Sequence, residues 1–393
     1  MSPALLGLFI CVVFIMRLQV AAFALLATLA LVQSAPITHD EIEAKSAQGY
    51  RLLSIVDGED PVWKTEDEKL QLMREEVQFF DVTDVFELEQ KLAAKEKKVT
   101  VGKAAFPTPS KQSEVTPILN TLSISNMESY LASLTAFNNR YYTSSTGLQA
   151  SNWILNTVSD IATDRDDVTV SKFSHRFQQF SIIAKIPGSE ASTPVTILGS
   201  HMDSINLNSP SSCRAPGADD DGTGSVNLIE AFRTLIAADF KPSTPVEFHW
   251  YAAEEVGLLG SQDIADNYAD DNIDVLAFME LDMSGYFEPG TKEVMAIQAD
   301  YIDDDLNDFL GKIIDTYASI PWTMDIACGY ACSDHASWYK AGYPSTFPYE
   351  AVTGNDNPRI HSSSDTTSVT GFSWTHSLEF AKVAVAFVYE LAA

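Results

Sequence analysis

The sequence predicts an α/β domain with a mixed, mainly parallel central sheet flanked by helices on both faces, and three observations lead there. From about residue 118, segments of helix and strand character alternate. Four short apolar runs read as strands: Phe180 to Ile186, Val195 to Gly199, Val246 to Tyr251 and Val275 to Leu281. Histidine and carboxylate side chains follow three of these runs directly, at the strand ends where open α/β sheets gather ligands.

The elements are taken in order. Residues 1–34 are apolar in two blocks, Leu5 to Ile15 and Ala21 to Val32, split by Arg17 and ending in small residues near Ser34 and Ala35. This pattern predicts a cleaved secretory signal, with Met16 as a second possible initiator and an uncleaved membrane anchor as the alternative. From 35 to 98 the composition turns charged and helix-forming, which predicts a helical pro-region, or alternatively an ordinary helical subdomain. Thr65 and Glu68 form a capping box, and Lys91, Lys95, Lys97 and Lys98 offer a processing site at its end. Residues 104–117, with Pro107, Pro109 and Pro117, read as an extended lead-in to a main domain spanning 99–393. Apolar periodicity predicts helices over Val226 to Ala238 and Leu306 to Tyr317, and a last one carrying Leu378, Ala381, Val385 and Val388.

With 25 Lys and Arg against 54 Asp and Glu, the formal charge is -29. That surface excludes nucleic acid as a partner, and no stable membrane association is expected after signal cleavage. Beyond the signal the cysteines are Cys213, Cys328 and Cys332. The last two enclose three residues, a spacing that suits a small-loop disulfide or a metal pair; in an oxidising compartment the disulfide is preferred.

The chemistry-bearing groups lie in six ordered motifs: His201-Met-Asp203, Gly217-Ala-Asp-Asp-Asp-Gly-Thr-Gly224, Ala252-Ala-Glu-Glu-Val-Gly257, Glu280-Leu-Asp-Met283, Cys328-Gly-Tyr-Ala-Cys-Ser-Asp-His335 and Ile360-His-Ser-Ser-Ser-Asp365. Across residues 120 to 393 this set resembles the M28 metallopeptidases, and within them it is most similar to the fungal and Vibrio secreted leucine aminopeptidases. The resemblance implies a zinc exopeptidase fold and two zinc ions per subunit. Asp220 would bridge the ions, with His201 and Asp282 completing one site and Glu255 and His361 the other. Glu254 would be the general base, Asp203 the partner that orients His201, and Asp220-Asp221 a cis peptide. Met283, Tyr330, Cys332, Phe347 and Tyr349 would line an apolar pocket for the substrate's first side chain.

Each assignment also makes physical sense. Residues two apart in an extended segment face the same way, so Asp203 can reach the imidazole of His201. Two histidines and three carboxylates, one of them shared, suit two divalent ions about 3.5 to 4 Å apart, which lower the pKa of a shared water from about 15.7 toward 7. The spacing between Gly217 and Gly224 selects Asp220, with Asp219 and Asp221 as fallbacks. His39, His175, His249 and His376 lack such a setting and read as satisfied core or surface residues, while His335 reads as support near the pocket.

The resulting expectation is a secreted, monomeric aminopeptidase acting on peptide and protein N-termini with Leu or other apolar first residues. Two alternatives on the same scaffold are a glutaminyl cyclase-like acyltransferase with one zinc and a non-catalytic binding protein. The complete ligand set and the presence of Glu254 favour the peptidase.

Overall fold

A computed structural model describes residues 37–56, 58–75, 77–94, 106–190 and 193–393. The expected signal peptide and the processing lysines at 95, 97 and 98 lie outside the described residues. The account below concerns His39–Ala393, which forms one compact unit.

The N-terminal segment runs through helix α1 (His39–Ser46), strands β1 (Tyr50–Ser54) and β2 (Val62–Thr65), helix α2 (Glu66–Arg74), strand β3 (Phe80–Asp81) and helix α3 (Phe86–Ala94). The capping box forms as expected: Glu68 N donates to Thr65 Oγ1 at 3.2 Å and Thr65 N to Glu68 Oε2 at 2.8 Å. The segment is not simply helical, however, because β2-β1-β3 make a small antiparallel sheet. Its strands are short, and only Leu52, Leu53 and Phe80 give them a buried apolar centre. Charged neighbours dilute so brief a signal below what composition reveals.

The main domain continues with α4 (Gln112–Leu119), α5 (Ile124–Leu134), α6 (Ser145–Ile161), β4 (Thr169–Phe173), β5 (Ser181–Ile186), β6 (Val195–His201), α7 (Gly222–Ala237), β7 (Val246–Tyr251), α8 (Leu259–Asp270) and β8 (Val275–Glu280). It closes with β9 (Met295–Ile297), α9 (Asp304–Tyr317), β10 (Trp322–Met324), α10 (His335–Lys340), β11 (Ser345–Thr346), β12 (Pro348–Tyr349) and α11 (Trp374–Ala392). The extended lead-in expected through Pro117 gives way at Gln112 to α4, which contains Pro117. Buried Val115 and Leu119 pin that helix against α7, α9 and α11, so packing outweighs the missing proline N–H.

The central sheet has the order β11-β8-β6-β7-β5-β4. β11, β8, β6 and β7 pair in parallel, and β5 and β4 join antiparallel at one edge, as the mixed, mainly parallel reading expects. Alternation along the buried strands divides the core between two faces. Leu198, Phe248, Trp250 and Met279 pack on the side of α7, α9 and α11. Val195, Ile197, Tyr251 and Phe278 pack with α8 and α10 residues Ile264 and Trp338 on the other.

This arrangement aims the carboxyl ends of β6, β7 and β8 at one place. Register continues past the strands, with Met202 N donating to Tyr251 O and Leu281 N to Gly199 O. The N-terminus of α7 is wedged against the end of β8 so closely that a Cβ on Gly224 would sit 2.1 Å from Leu281 O, and only glycine fits.

Candidate metal centre and active site

Most of the functional side chains sit where a strand stops, while Asp220 lies in the loop that leads into α7. β6 delivers His201 as its last residue and Asp203 two positions on; β7 is followed by Glu254 and Glu255 in a 3-10 turn; β8 is followed by Asp282. His361 comes from the loop before α11. Ala253, Leu258, Met283 and His361 all have left-handed backbone, with φ of 59°, 61°, 52° and 54°. Such conformations cost about 1–3 kcal/mol each and gather where geometry is imposed by the surroundings.

The five expected ligands fall into two triads, His201-Asp220-Asp282 and Asp220-Glu255-His361, that share Asp220. His201 Nε2 lies 3.2 Å from Asp220 Oδ1 and 3.4 Å from Asp282 Oδ1. His361 Nε2 lies 3.2 Å from Asp220 Oδ2 and 3.1 Å from Glu255 Oε2. Asp203 is wholly buried behind them, its Oδ1 3.4 Å from His201 Nδ1. The same carboxylate accepts the backbone N–H groups of Glu254 at 3.0 Å and Glu255 at 3.3 Å, so it positions β6 and the turn after β7 together. Glu254 faces the cleft with 12% of its side chain exposed, its Oε2 3.9 Å from His201 Nε2.

Of the three consecutive aspartates, the outer two are engaged elsewhere. Asp219 Oδ1 accepts from Gly285 N and Thr223 Oγ1, and its Oδ2 accepts from Asn357 Nδ2. Asp221 caps α7 by accepting from Gly224 N and also holds Met283 N. Only Asp220 projects between the histidines, and the Asp220-Asp221 peptide is cis, as expected.

The electrostatics explain what the site can hold. Burial, with repulsion from neighbouring carboxylates, pushes Glu255 and Asp334 up to about 7, and burial carries Asp219 to about 6 against the hydrogen bonds it accepts. Burial likewise carries Glu254, Glu280 and Asp365 well above the carboxylate range. Asp220 goes the other way: burial works against it, yet contacts from His201 and His361 hold it well below. Both ring nitrogens of His201 and Oδ1 of Asp282 are buried without a hydrogen-bond partner among the described residues. So many buried carboxylates with orphaned donor atoms lack compensating charge, and divalent cations in an N/O ligand set supply it. The residues therefore fit two metal ions.

These groups floor a cleft of about 910 Å³. Met283, Tyr330, Cys332, Phe347 and Tyr349 all line it. Tyr349 Oη donates to Met283 Sδ at 3.4 Å, and the rings of Phe347 and Tyr349 pack edge to face at 5.5 Å. Cys328 and Cys332 are disulfide-bonded, which presents Tyr330 on a closed loop, while Cys213 is free. The histidines read as satisfied are so: His175 contacts Asp263 and Ser181, His249 contacts Glu247 and Tyr251, His376 contacts Glu293 and the Glu350 carbonyl, and exposed His39 pairs with Glu87. His335 is fully buried against Phe347, and burial lowers its pKa to about 3.

Sequence reasoning missed the groups that brace this floor. Buried Arg140 donates to the carbonyls of Met202, Pro216 and Gly217 and lies near Asp203, Asp220, Asp221 and Asp365. Asp365 accepts from Asp219 N and Asp220 N, and Glu350 accepts from Tyr286 N and Asn357 N. Asp365 stood within a quoted motif, but Arg140 and Glu350 carried no local signal. Also unforeseen, Met73, Arg74, Gln78 and Phe79 of the N-terminal segment form one wall of the cleft.

Comparison with known proteins agrees with this geometry. Residues 181–388 match Peptidase family M28. Leucine aminopeptidase 1 of Coccidioides posadasii is 42% identical over 344 residues, covering 84% of this chain and 86% of that one. The protein of the same name from Neurospora crassa is 43% identical over 345 residues, covering 85% and 83%. Among solved structures, the Legionella pneumophila LapA aminopeptidase superposes with a TM-score of 0.76 at 29% identity, covering 89% of this chain and 96% of that one. With a family match over more than half its length and relatives above 40% identity, the chain belongs to peptidase family M28 and is a metallo-aminopeptidase.

Proposed function

We propose that this enzyme is a secreted, two-zinc aminopeptidase that releases Leu and other apolar residues from the N-termini of peptides and proteins. His201 and Asp282 would hold one ion, Glu255 and His361 the other, with Asp220 between them. The observation that carries this reading is the division of the Asp220 oxygens between two histidines. When bound, the ions supply Lewis acidity that polarises a scissile carbonyl and eases deprotonation of a nearby water.

The chain's own residues do the rest. Glu254 accepts the proton of the attacking water at its carboxylate and passes one to the departing amine; burial raises its pKa above the ordinary carboxylate value. Asp203 acts through others, orienting the His201 ring and fixing the amides of Glu254 and Glu255. Met283, Tyr330, Cys332, Phe347 and Tyr349 receive the first side chain and shed water from it. An apolar wall of this kind distinguishes neighbouring side chains by only about 1–3 kcal/mol per methylene, so Leu, Phe and Met are all accepted. The dense negative charge around Glu254 and Asp282 favours the α-amine of a free N-terminus, which an internal peptide bond lacks.

The same reading takes residues 1–34 as a signal peptide, 35–98 as a pro-region and 99–393 as the catalytic domain of a monomer without nucleic-acid or membrane partners. The acidic surface supports it, as does the Cys328–Cys332 disulfide, which suits an oxidising compartment. Among the described residues no helix is long and apolar enough to cross a membrane.

Purified protein assayed on a Leu-anilide tests the proposal. Chelation is expected to abolish turnover, Glu254→Gln to lower kcat by about 100-fold or more, and elemental analysis to find two zinc ions per chain. Turnover indifferent to chelator and to Glu254→Gln would refute the mechanism, and one ion per chain would favour the cyclase-like reading.

A further inference from the structure

The loop that carries Asp220 is held from two sides by buried groups of opposite charge. On one side Arg140, fully buried, donates from Nε to Met202 O at 2.7 Å, from Nη2 to Gly217 O at 2.9 Å and from Nη1 to Pro216 O. Met202 directly follows His201, and Pro216 and Gly217 open the aspartate loop, so one guanidinium spans both chains. Ser204 repeats the link, accepting from Arg140 N at 3.0 Å and donating to Ala215 O at 2.9 Å. A Cβ on Gly217 would sit 2.8 Å from Arg140 Nη2, so the loop closes directly on the guanidinium.

On the other side Asp365, also buried, accepts from Asp219 N and Asp220 N, each at 3.1 Å, and its own carbonyl accepts from Ala218 N at 3.4 Å. Asp365 stands four residues after His361. The loop is thus bound through its carbonyls to the segment bearing one histidine and through its amides to the segment bearing the other.

Charge and geometry oppose each other at Arg140. Asp365, Asp221, Asp203 and Asp220 all lie near it, yet its side-chain donors go to main-chain carbonyls. A fixed cation beside two divalent ions repels them, so by charge alone it weakens their binding. What it contributes is the orientation of ligands. At Asp365 charge favours both ions, and only a difference between the two sites reports on orientation.

We infer that Arg140 and Asp365 are positioning residues that set the two halves of the metal centre separately: Arg140 aligns Asp220 with His201, and Asp365 aligns it with His361. The inference rests on the two-ion reading above and adds an outer control for each ion.

The test measures zinc affinity, by competition with a chromophoric chelator, in full-chain variants that keep one of the two histidines. His361→Ala leaves the His201 site, and His201→Ala leaves the His361 site. Adding Arg140→Met should weaken zinc about 10–100-fold in the first background and no more than about threefold in the second. Arg140→Lys keeps a donor and should recover part of the loss. Adding Asp365→Asn should reverse the pattern, with the larger loss at the His361 site. Tighter zinc at both sites in Arg140→Met would mean that its charge acts and its geometry does not, which overturns the inference; so do equal losses in the two backgrounds for either residue. If Arg140→Met fails to fold, Ser204→Ala takes its place, since it cuts one link between the same two chains: a loss confined to the His201 site supports the inference and no loss there overturns it. Zinc content of the wild type separates the two levels. Two ions with equal losses sink the positioning roles alone, whereas one ion per chain sinks the two-ion reading and the inference with it.

Discussion

Asp220 Oδ1 and Oδ2 stand 3.2 Å from His201 Nε2 and 3.2 Å from His361 Nε2, so one carboxylate divides its two oxygens between histidines that are 160 residues apart. That division predicts an asymmetry in what substitution does. Asp220→Asn keeps the shape but replaces one oxygen by a donor amide and removes the shared charge. We expect loss of zinc from both positions and at least a 100-fold fall in kcat/KM, since disturbing even outer partners of a metal costs about 10–100-fold. Asp219→Asn should retain zinc far better, because that carboxylate serves Gly285 N, Thr223 and Asn357. Titration of bound zinc in the two variants checks the contrast.

The N-terminal segment is anchored by a buried charge cluster. Asp81 Oδ2 lies 2.8 Å from Arg51 Nε and 3.4 Å from Lys69 Nζ, and both Asp81 and Lys69 are almost fully buried. The Asp81 backbone also bonds to Gly257 O and accepts from Gln262 Nε2, tying the segment to the turn after β7. Asp81→Ala takes the buried partner from Lys69 and leaves its ammonium only the half-exposed Glu66, 3.1 Å away; losing one partner of a buried ion pair costs up to about 3–5 kcal/mol. Residues 39–94 should then be cut by protease well before the central sheet melts. Although burial opposes ionisation, Lys69 and Arg51 hold the Asp81 carboxyl below its usual value. Its contribution is therefore present above the unfolded pKa and lost as pH falls through the lower folded one, so acid below about pH 4 should loosen the same segment in the wild type.

Asp266 in α8 shows the opposite sign. Burial, then Glu89, Asp263 and Asp270, push its carboxyl up to about 8, and its Oδ2 has no hydrogen-bond partner among the described residues. Below the unfolded pKa both states carry the proton and nothing is lost. As pH rises from there toward 8 the unfolded chain gives up the proton while the folded chain keeps it, so stability declines. Asp266→Asn removes this dependence. The variant should match the wild type near pH 4 and melt several degrees higher by pH 8, for a gain of a few kcal/mol; equal melting curves at both pH values would count against the buried placement.

The four inner strands of the sheet were legible because their signals are local. Each is a short apolar run, each expected helix has its own periodicity, and expected and observed bounds differ by a few residues at most, whereas the edge strands β4 and β11, polar or only two residues long, were not expected. The site was legible for a related reason: a strand end is a point in the sequence, and His201, Glu254, Glu255 and Asp282 lie within four residues of one. The small β2-β1-β3 sheet was missed because strands of two to five residues among charged neighbours hold too few apolar positions to set a period. The helix through Pro117 was missed because propensity argues against it and only packing on α7, α9 and α11 overrides that.

What the sequence determined by itself was the chemistry on offer: two histidines and the carboxylates, carried in ordered motifs, several of them on strand ends. Tertiary structure decided how those groups are spent. It turned Asp219 and Asp221 onto backbone amides and left Asp220 free to face both histidines. It also placed Arg140 under the aspartate loop and set Arg74 from the N-terminal segment in the wall of the cleft. Period and motif are properties of neighbours along the chain, whereas which carboxylate is left without a donor depends on amides and cations brought in from 60 to 140 residues away.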